Sequence, residues 1–153
     1  VAGASENLHG TAIALGSAGA LIRGAPGSGK SDLALRCLAL APTGLIAGEA
    51  LLIADDRVDV AREDGRIRMT APATIRGRIE VRGVGIMTVP HALSATLALV
   101  ADLVGPEEIE RMPDPELKTA ILGVELPLLR LAPFEASAPV KLLLALSQFV
   151  RTA

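Results

Sequence analysis

The sequence predicts an α/β fold: one domain, with a mixed, strand-rich sheet around a glycine-rich phosphate loop. Three observations carry this. Residues 24–31, Gly-Ala-Pro-Gly-Ser-Gly-Lys-Ser, match G-x-x-x-x-G-K-[ST] at every fixed position and lie between an apolar run and a helical pattern, the order a P-loop requires. Short apolar runs outnumber the two evident helical patterns, which argues for a mixed sheet rather than a doubly wound one. The 153 residues, half of them apolar, suffice for one sizeable core and are too few for two independent domains.

Residues 1–7 are small and polar, offer nothing to bury, and are expected to form a flexible N-terminus ahead of a single domain at 8–153. Residues 11–15, a tight turn over 16–19 and residues 20–23 read as strand, turn, strand. From Lys30 onward Leu33, Cys37 and Leu40 recur at helical spacing until Pro42 stops the helix. Residues 50–54 form a continuous apolar run ending in Asp55 and Asp56, as expected of a buried strand emerging at a sheet edge. Asp64-Gly65 is a hairpin signal between strands at 57–61 and 66–70. Further strands are expected at 78–81, 86–89, 95–103 and 125–131, the last interrupted by Pro127. Residues 106–115 are a proline-bounded, charged connection, and an apolar-faced helix over 140–150 closes the chain.

A net charge of −2 gives no electrostatic case for nucleic acid, whose binding rests on Lys and Arg neutralising phosphates. With Phe134 and Phe149 as the only aromatics there is no stacking platform for bases, and an adenine would have to lie against aliphatic side chains and backbone. The single Cys37 cannot form an internal disulfide and reads as a small core residue in a reducing compartment. The apolar stretch 11–22 is short, is broken by Gly16 and Gly19, and has no basic stretch ahead of it; the run 93–104 carries Asp102. Neither reads as a signal peptide or membrane span, so a cytoplasmic protein without membrane contact is the expectation.

In a P-loop, Gly24, Ala25, Pro26, Gly27, Ser28 and Gly29 would let successive backbone N–H groups face phosphates, aided by the positive end of the helix that follows. Lys30 would reach the outer phosphates and the Ser31 hydroxyl would ligate Mg²⁺. Asn7 is the only asparagine, so neither the guanine-reading N-K-x-D motif nor the H-R-D-x-x-x-x-N loop of eukaryotic-type protein kinases exists here. An ATP-type kinase or ATPase module remains. Of Asp55 and Asp56, one carboxylate can bind Mg²⁺ while the other takes the proton of an attacking hydroxyl. Read alone, Glu80 is a strand carboxylate beside Arg78 and Arg82, His9 a solvated or capping residue, and Arg111 a surface partner of Glu107, Glu108 and Glu110.

Together, His9-Gly10 ahead of a strand pair, the P-loop, Ala54-Asp-Asp-Arg57 and Ile79-Glu-Val-Arg-Gly-Val-Gly-Ile86 resemble the catalytic domain of bacterial HPr kinase/phosphorylase, over about residues 8–150. The resemblance implies a fold like that of phosphoenolpyruvate carboxykinase and a hexamer. It also implies an ATP- and Mg²⁺-dependent kinase that phosphorylates a serine of the phosphocarrier HPr, or of an HPr-like protein. It sets His9 beside the transferring phosphoryl group, Lys30 on the phosphates, Ser31 and Glu80 on metal with Asp55 adjacent, and Asp56 as acid/base residue. Counting back from Glu125-Leu126-Pro127 makes Arg111 the family's catalytic arginine. The chain looks like the short form without an N-terminal domain. Where longer members carry an Arg-Pro-Gly-Arg-Asn-like stretch linked to the reverse, phosphorolytic reaction, it has Ala-Pro-Phe-Glu-Ala-Ser at 132–137. A kinase of the same fold acting on another protein or small metabolite, and an ATP-sensing module without turnover, share these residues.

Overall fold

The structure is a computed structural model that describes residues 4–150. In chain order its elements are β1 (Ser5–His9), β2 (Thr11–Leu15), β3 (Ala18–Arg23), α1 (Lys30–Leu38), β4 (Ala50–Ala54), β5 (Arg57–Glu63) and β6 (Arg66–Thr70). Then follow β7 (Arg78–Val81), β8 (Gly85–Thr88), β9 (Ala95–Leu103), β10 (Lys118–Ile121), β11 (Val124–Leu131) and α2 (Ala138–Ser147). Nine strands form one sheet, and β7 with β8 forms a separate hairpin.

The main sheet branches at β9. One edge of β9 pairs in parallel with β3, and β2 and β4 extend the sheet antiparallel from there. Its other edge is shared: β6 takes the first residues, antiparallel, and β11 takes Val100 to Leu103 in parallel. Beyond β6 lie β5 and β1, and β10 pairs with the first half of β11.

Both faces of the central strands are buried, which is why their sequences run apolar without a period of two. On one face Ile13, Leu15, Ile22 and Leu99 pack against Leu33 and Cys37 of α1 and Leu142, Leu143 and Leu146 of α2. On the other, Leu21, Ile53 and Val100 meet Val60, Ile67, Met69 and Leu126, because the sheet curls and covers itself.

The alternation of short strands with two helices matches the expected mixed, strand-rich α/β fold, and the strands at 50–54, 78–81 and 95–103 have the expected bounds. Four expectations need correction. Residues 1–3 of the supposed flexible N-terminus lie outside the described residues, but Ser5 to Asn7 belong to β1, held by antiparallel pairing with β5 rather than by burial. Pro127 does not interrupt its strand: β11 changes partner there, from β10 up to Pro127 to β9 from Leu128, so no ladder depends on the missing N–H. The short strand β10, with only Ile121 fully buried, carries too little pattern to be read in advance. Finally, α1 ends at Leu38, ahead of Pro42, and α2 runs from Ala138 to Ser147, starting at a proline in its first turn.

Gly10, which joins β1 to β2, has no room for a side chain: a Cβ there would lie 2.9 Å from the Ile22 carbonyl oxygen. Gly10→Ala is expected to cost about 1–3 kcal/mol, read as a lower urea midpoint at unchanged m-value; an unchanged midpoint would show that the corner relaxes freely. Burial pushes the Cys37 thiol up to about 12, partly offset by the nearby Arg36 charge. It should resist thiol reagents at pH 8 until the chain unfolds. Since the unfolded thiol ionises from about pH 9 and the folded one does not, stability should fall by up to about 1.4 kcal/mol per pH unit above that point. A pH-independent midpoint between 9 and 11 would contradict this.

Candidate active site

Several chain segments converge at one edge of the sheet because of strand direction. The parallel strands β3, β9 and β11 all end there, as does β4, which runs the same way as β3 through the intervening β2. In open α/β sheets this carboxyl edge is where ligands sit. β3 delivers the P-loop, β4 delivers Asp55 and Asp56, and the connections after β9 and β11 lie beside them. β2 runs the opposite way, so its first residue, Thr11, is at this edge too.

The P-loop passes directly into α1. Gly29 caps the helix in the left-handed conformation, φ 99°, with no side chain capping the first turn, so the N–H groups there are free to meet an anion. Lys30 Nζ donates to the carbonyls of Gly24 and Ala25, at 3.0 and 3.2 Å, and so closes the loop on itself. Ser28 Oγ is buried and has no hydrogen-bond partner among the described residues.

Asp55 is the centre of the arrangement. Only it and Thr11 are buried polar residues among those described. Its carboxylate accepts hydrogen bonds from the Ser31 hydroxyl at 2.6 Å, the Thr11 hydroxyl at 3.0 Å and the Glu80 backbone N–H at 3.0 Å. Thr11 Oγ1 in turn accepts from the Asp56 N–H at 3.3 Å. A buried carboxylate left without partners would cost several kcal/mol, and here three donors satisfy it.

Asp56 is the opposite case. It is exposed, its backbone is left-handed at φ 69°, and its carbonyl accepts the Gly10 N–H at 3.0 Å. A non-glycine residue in this region costs about 1–3 kcal/mol; Asp64 and Leu122 share it in the turns of the β5–β6 and β10–β11 hairpins, whereas Asp56 carries it beside the P-loop. The strain turns the second carboxylate away from the first and into solvent. His9, also exposed, sits at the end of β1 opposite Arg57 and one residue from that turn.

Glu80 reaches the site through its backbone, while its side chain is exposed. Arg111 lies exposed in the connection after β9; among the described residues no hydrogen bond or ion pair ties it to the P-loop or the aspartates. Sequence reasoning missed Thr11, whose signal was a lone hydroxyl in an apolar strand directly after His9-Gly10. It also missed Arg36, whose guanidinium pairs with Asp32 at 2.9 Å and donates to the carbonyls of Pro133 and Glu135, tying α1 to the segment after β11.

No group of three or more His, Cys, Asp or Glu among the described residues forms a dedicated metal cage. The donors present, the Ser31 hydroxyl beside the Asp55 carboxylate, are hard oxygens of the kind Mg²⁺ takes when it shares its ligands with phosphates and water. The site therefore fits that cation.

Residues 2–145 match the family model described as HPr Serine kinase C-terminal domain. Among curated proteins, the HPr kinase/phosphorylase of Clostridium novyi is 39% identical over 92 residues, 59% of this chain and 27% of that protein. That of Lactobacillus acidophilus is 37% identical over 91 residues, 59% of this chain and 26% of that protein. The match thus spans about a quarter of the length of these relatives. A solved structure of the HPr(Ser) kinase/phosphatase from Coxiella burnetii superposes with a TM-score of 0.75, covering 90% of this chain and 91% of that one at 23% identity, a likeness that establishes the fold.

Thr11→Val keeps the volume of Thr11 but removes one donor from Asp55 and the acceptor of the Asp56 N–H. It is expected to lower stability by about 1–3 kcal/mol, read as a lower melting temperature by calorimetry, and to loosen the Ser31–Asp55 contact, read as faster hydrogen exchange of the first-turn amides of α1. A variant matching the parent in both respects would show that Thr11 does not position Asp55.

Proposed function

We propose that this chain, which belongs to the HPr serine kinase C-terminal-domain family, transfers the γ-phosphoryl group of ATP to a serine hydroxyl of HPr or an HPr-like phosphocarrier. The observation that carries this reading is the contrast between two adjacent aspartates. Asp55 is buried and bonded to the P-loop serine, whereas Asp56 is exposed and held in a strained turn beside it.

The serine oxygen attacks the γ-phosphorus, its proton passes to the Asp56 carboxylate, and the bond to the β,γ-bridging oxygen breaks to release ADP. The transition state of phosphoryl transfer is loose, so positioning and charge neutralisation supply most of the acceleration. The N–H groups of the loop and of the first turn of α1, with Lys30, hold the phosphates. Ser31 and Asp55 would hold Mg²⁺, joined in the family's pattern by Glu80; when bound, it neutralises charge on the phosphate oxygens. His9 stands next to the Asp56 turn and would face the transferring group. Arg111 belongs to the connection leaving the same sheet edge and takes the family's catalytic-arginine role by correspondence alone. An exposed base suits a macromolecular acceptor, because the hydroxyl of a folded protein must reach it from outside. Forward transfer should exceed phosphorolysis, since residues 132–137 bring no Arg or Lys to hold a second phosphate. Among the described residues, the guanidinium that contacts that segment is that of Arg36, which is already engaged by backbone carbonyls and Asp32. A cytoplasmic hexamer is the assembly this reading carries.

Labelled ATP and Mg²⁺ incubated with HPr and a panel of other proteins and metabolites tests the proposal: label on an HPr serine is the expected result. Label on another acceptor would replace the substrate, and binding without turnover would make the chain a sensor. Lys30→Ala should lose both binding and transfer. Asp56→Asn should bind ATP nearly as the parent does and lose transfer by about 100-fold or more, the usual size of a missing general base. If Asp55→Asn abolishes transfer at saturating Mg²⁺ while Asp56→Asn does not, the two roles are reversed.

A further inference from the structure

The connection after β9, residues 104–117, starts from the P-loop edge of the sheet but has little of its own to hold it there. Of residues 106–117, all but Ile109 and Leu117 are exposed. Inside it the hydrogen bonds among the described residues are local: the Glu108, Ile109 and Leu117 N–H groups donate to the carbonyls of Gly105, Pro106 and Asp114, and the Gly105 and Glu116 N–H groups to the carboxylates of Glu108 and Asp114. Backbone bonds to the rest of the sheet lie only at its two ends, from the Val104 N–H to the Leu131 carbonyl at 2.9 Å and from the Leu128 N–H to the Leu117 carbonyl at 3.1 Å. The course of the connection is therefore set at those ends. Arg111 is its only cation.

One side chain grips both ends. Arg23, the last residue of β3 and the neighbour of the first P-loop glycine, donates from Nε to Asp102 Oδ1 at 2.7 Å and from Nη2 to Asp102 Oδ2 at 3.0 Å. The same Nη2 reaches Thr119 Oγ1 at 3.4 Å. Asp102 stands two residues before the connection and Thr119 two residues after it. The sheet alone does not supply this grip. β3 and β9 already pair in parallel, with Arg23 opposite Asp102, but β10 pairs with β11 and with neither of them, so the bond to Thr119 is a link that the ladders lack. A guanidinium is suited to it, because two parallel N–H groups meet the carboxylate and another remains for the hydroxyl, which the point charge of Lys cannot reproduce. We infer that Arg23 is a positioning residue for phosphoryl transfer: it clasps both ends of the 104–117 connection to the strand that enters the P-loop, so that phosphates on the loop and Arg111 on the connection share one mount. The inference rests on the kinase reading above, which puts phosphates on the loop. Charge developing there is best stabilised by a cation already fixed in place, and the connection has no other means of fixing Arg111. Arg23 itself touches no phosphate, being occupied by Asp102 and Thr119, and acts through Arg111.

The test is a double-mutant cycle between Arg23→Lys and Arg111→Ala, read as kcat for transfer of label from Mg²⁺-ATP to HPr, with ATP affinity and amide hydrogen exchange measured on the same proteins. Arg111→Ala should lower kcat by about 100-fold or more, the size of one lost charge-stabilising donor. Arg23→Lys should lower it by about tenfold or more through misplacement alone. The double variant should be no slower than Arg111→Ala, and ATP affinity should stay near parental throughout, because Lys30 and the N–H groups of the loop are untouched. In Arg23→Lys the Val104 and Leu117 amides should exchange about tenfold faster, the size of one lost hydrogen bond to a charged group. The Leu52 N–H, bonded to the Pro90 carbonyl on the far side of the sheet, should exchange as in the parent. Should Arg23→Lys fold poorly, Thr119→Val removes only the third bond and should speed exchange at Leu117 while lowering kcat by a smaller factor. Losses in kcat that multiply in the double variant would show that Arg23 works independently of Arg111 and would overturn the proposal. Parental exchange at both amides, or faster exchange with parental kcat, would overturn it equally. A parent that binds ATP but transfers no label to HPr or to any other member of the panel above removes the kinase reading and this proposal together. Any of the three contrary results in a parent that does transfer removes the proposal alone.

Discussion

The arrangement depends on keeping one buried carboxylate satisfied. Asp55 directly follows β4, whose side chains are all apolar, and its charge is tolerable only because donors arrive from three other parts of the chain. Thr11 comes from the start of β2, Ser31 from the first turn of α1 and the Glu80 N–H from the β7–β8 hairpin. The hydrogen bonds therefore fasten the sheet, the P-loop helix and the hairpin at one point. Ile79, the neighbour of Glu80, is buried in the helix-side core and seats the hairpin from beneath.

The same constraint separates the two aspartates. Because the side chain of Asp55 turns inward, the chain must reverse within two residues to enter β5, and the Arg57 N–H bonded to the Asp55 carbonyl at 2.8 Å closes that reversal. The left-handed backbone of Asp56 follows from it, and so does its exposure. A group committed to three hydrogen bonds suits holding and orienting, whereas a solvent-facing carboxylate can exchange a proton with an incoming hydroxyl. Loops at the same edge complete the surroundings: the P-loop after β3 is the phosphate-binding segment in the proposed function, and the connections after β9 and β11 line an apolar cleft next to it.

The sequence made much of this legible because the P-loop is a local motif and the buried strand before Asp55-Asp56 is a local run. Strand β9 was equally plain, being nine residues with only Asp102 as a charge. Features that depend on contacts between distant residues were not. Thr11 and Asp55 are separated by 44 positions, and no local pattern tells a strand hydroxyl that will meet a carboxylate from one that will not. Likewise β1 and β10 are short and largely exposed, so their strand character comes from pairing with β5 and β11. Phe134 was counted as a scarce aromatic, but its place against Gly29 follows from the parallel pairing of β11 beside β9, which brings 132–137 to the P-loop edge. The family resemblance added roles for His9, Glu80 and Arg111 that their local sequence could not supply.

If Asp55 is the point at which loop, sheet and metal site are coupled, the most direct measurement is a double-mutant cycle between Ser31→Ala and Asp55→Asn, read as the affinity for ATP with Mg²⁺. Residues sharing a hydrogen-bond network show interaction energies of about 0.5–3 kcal/mol. The account predicts a coupling of about 1 kcal/mol or more, with the second substitution doing little once the first is made. Losses that add to within about 0.5 kcal/mol would mean that the two residues act independently, contradicting the view that the site is built around this carboxylate.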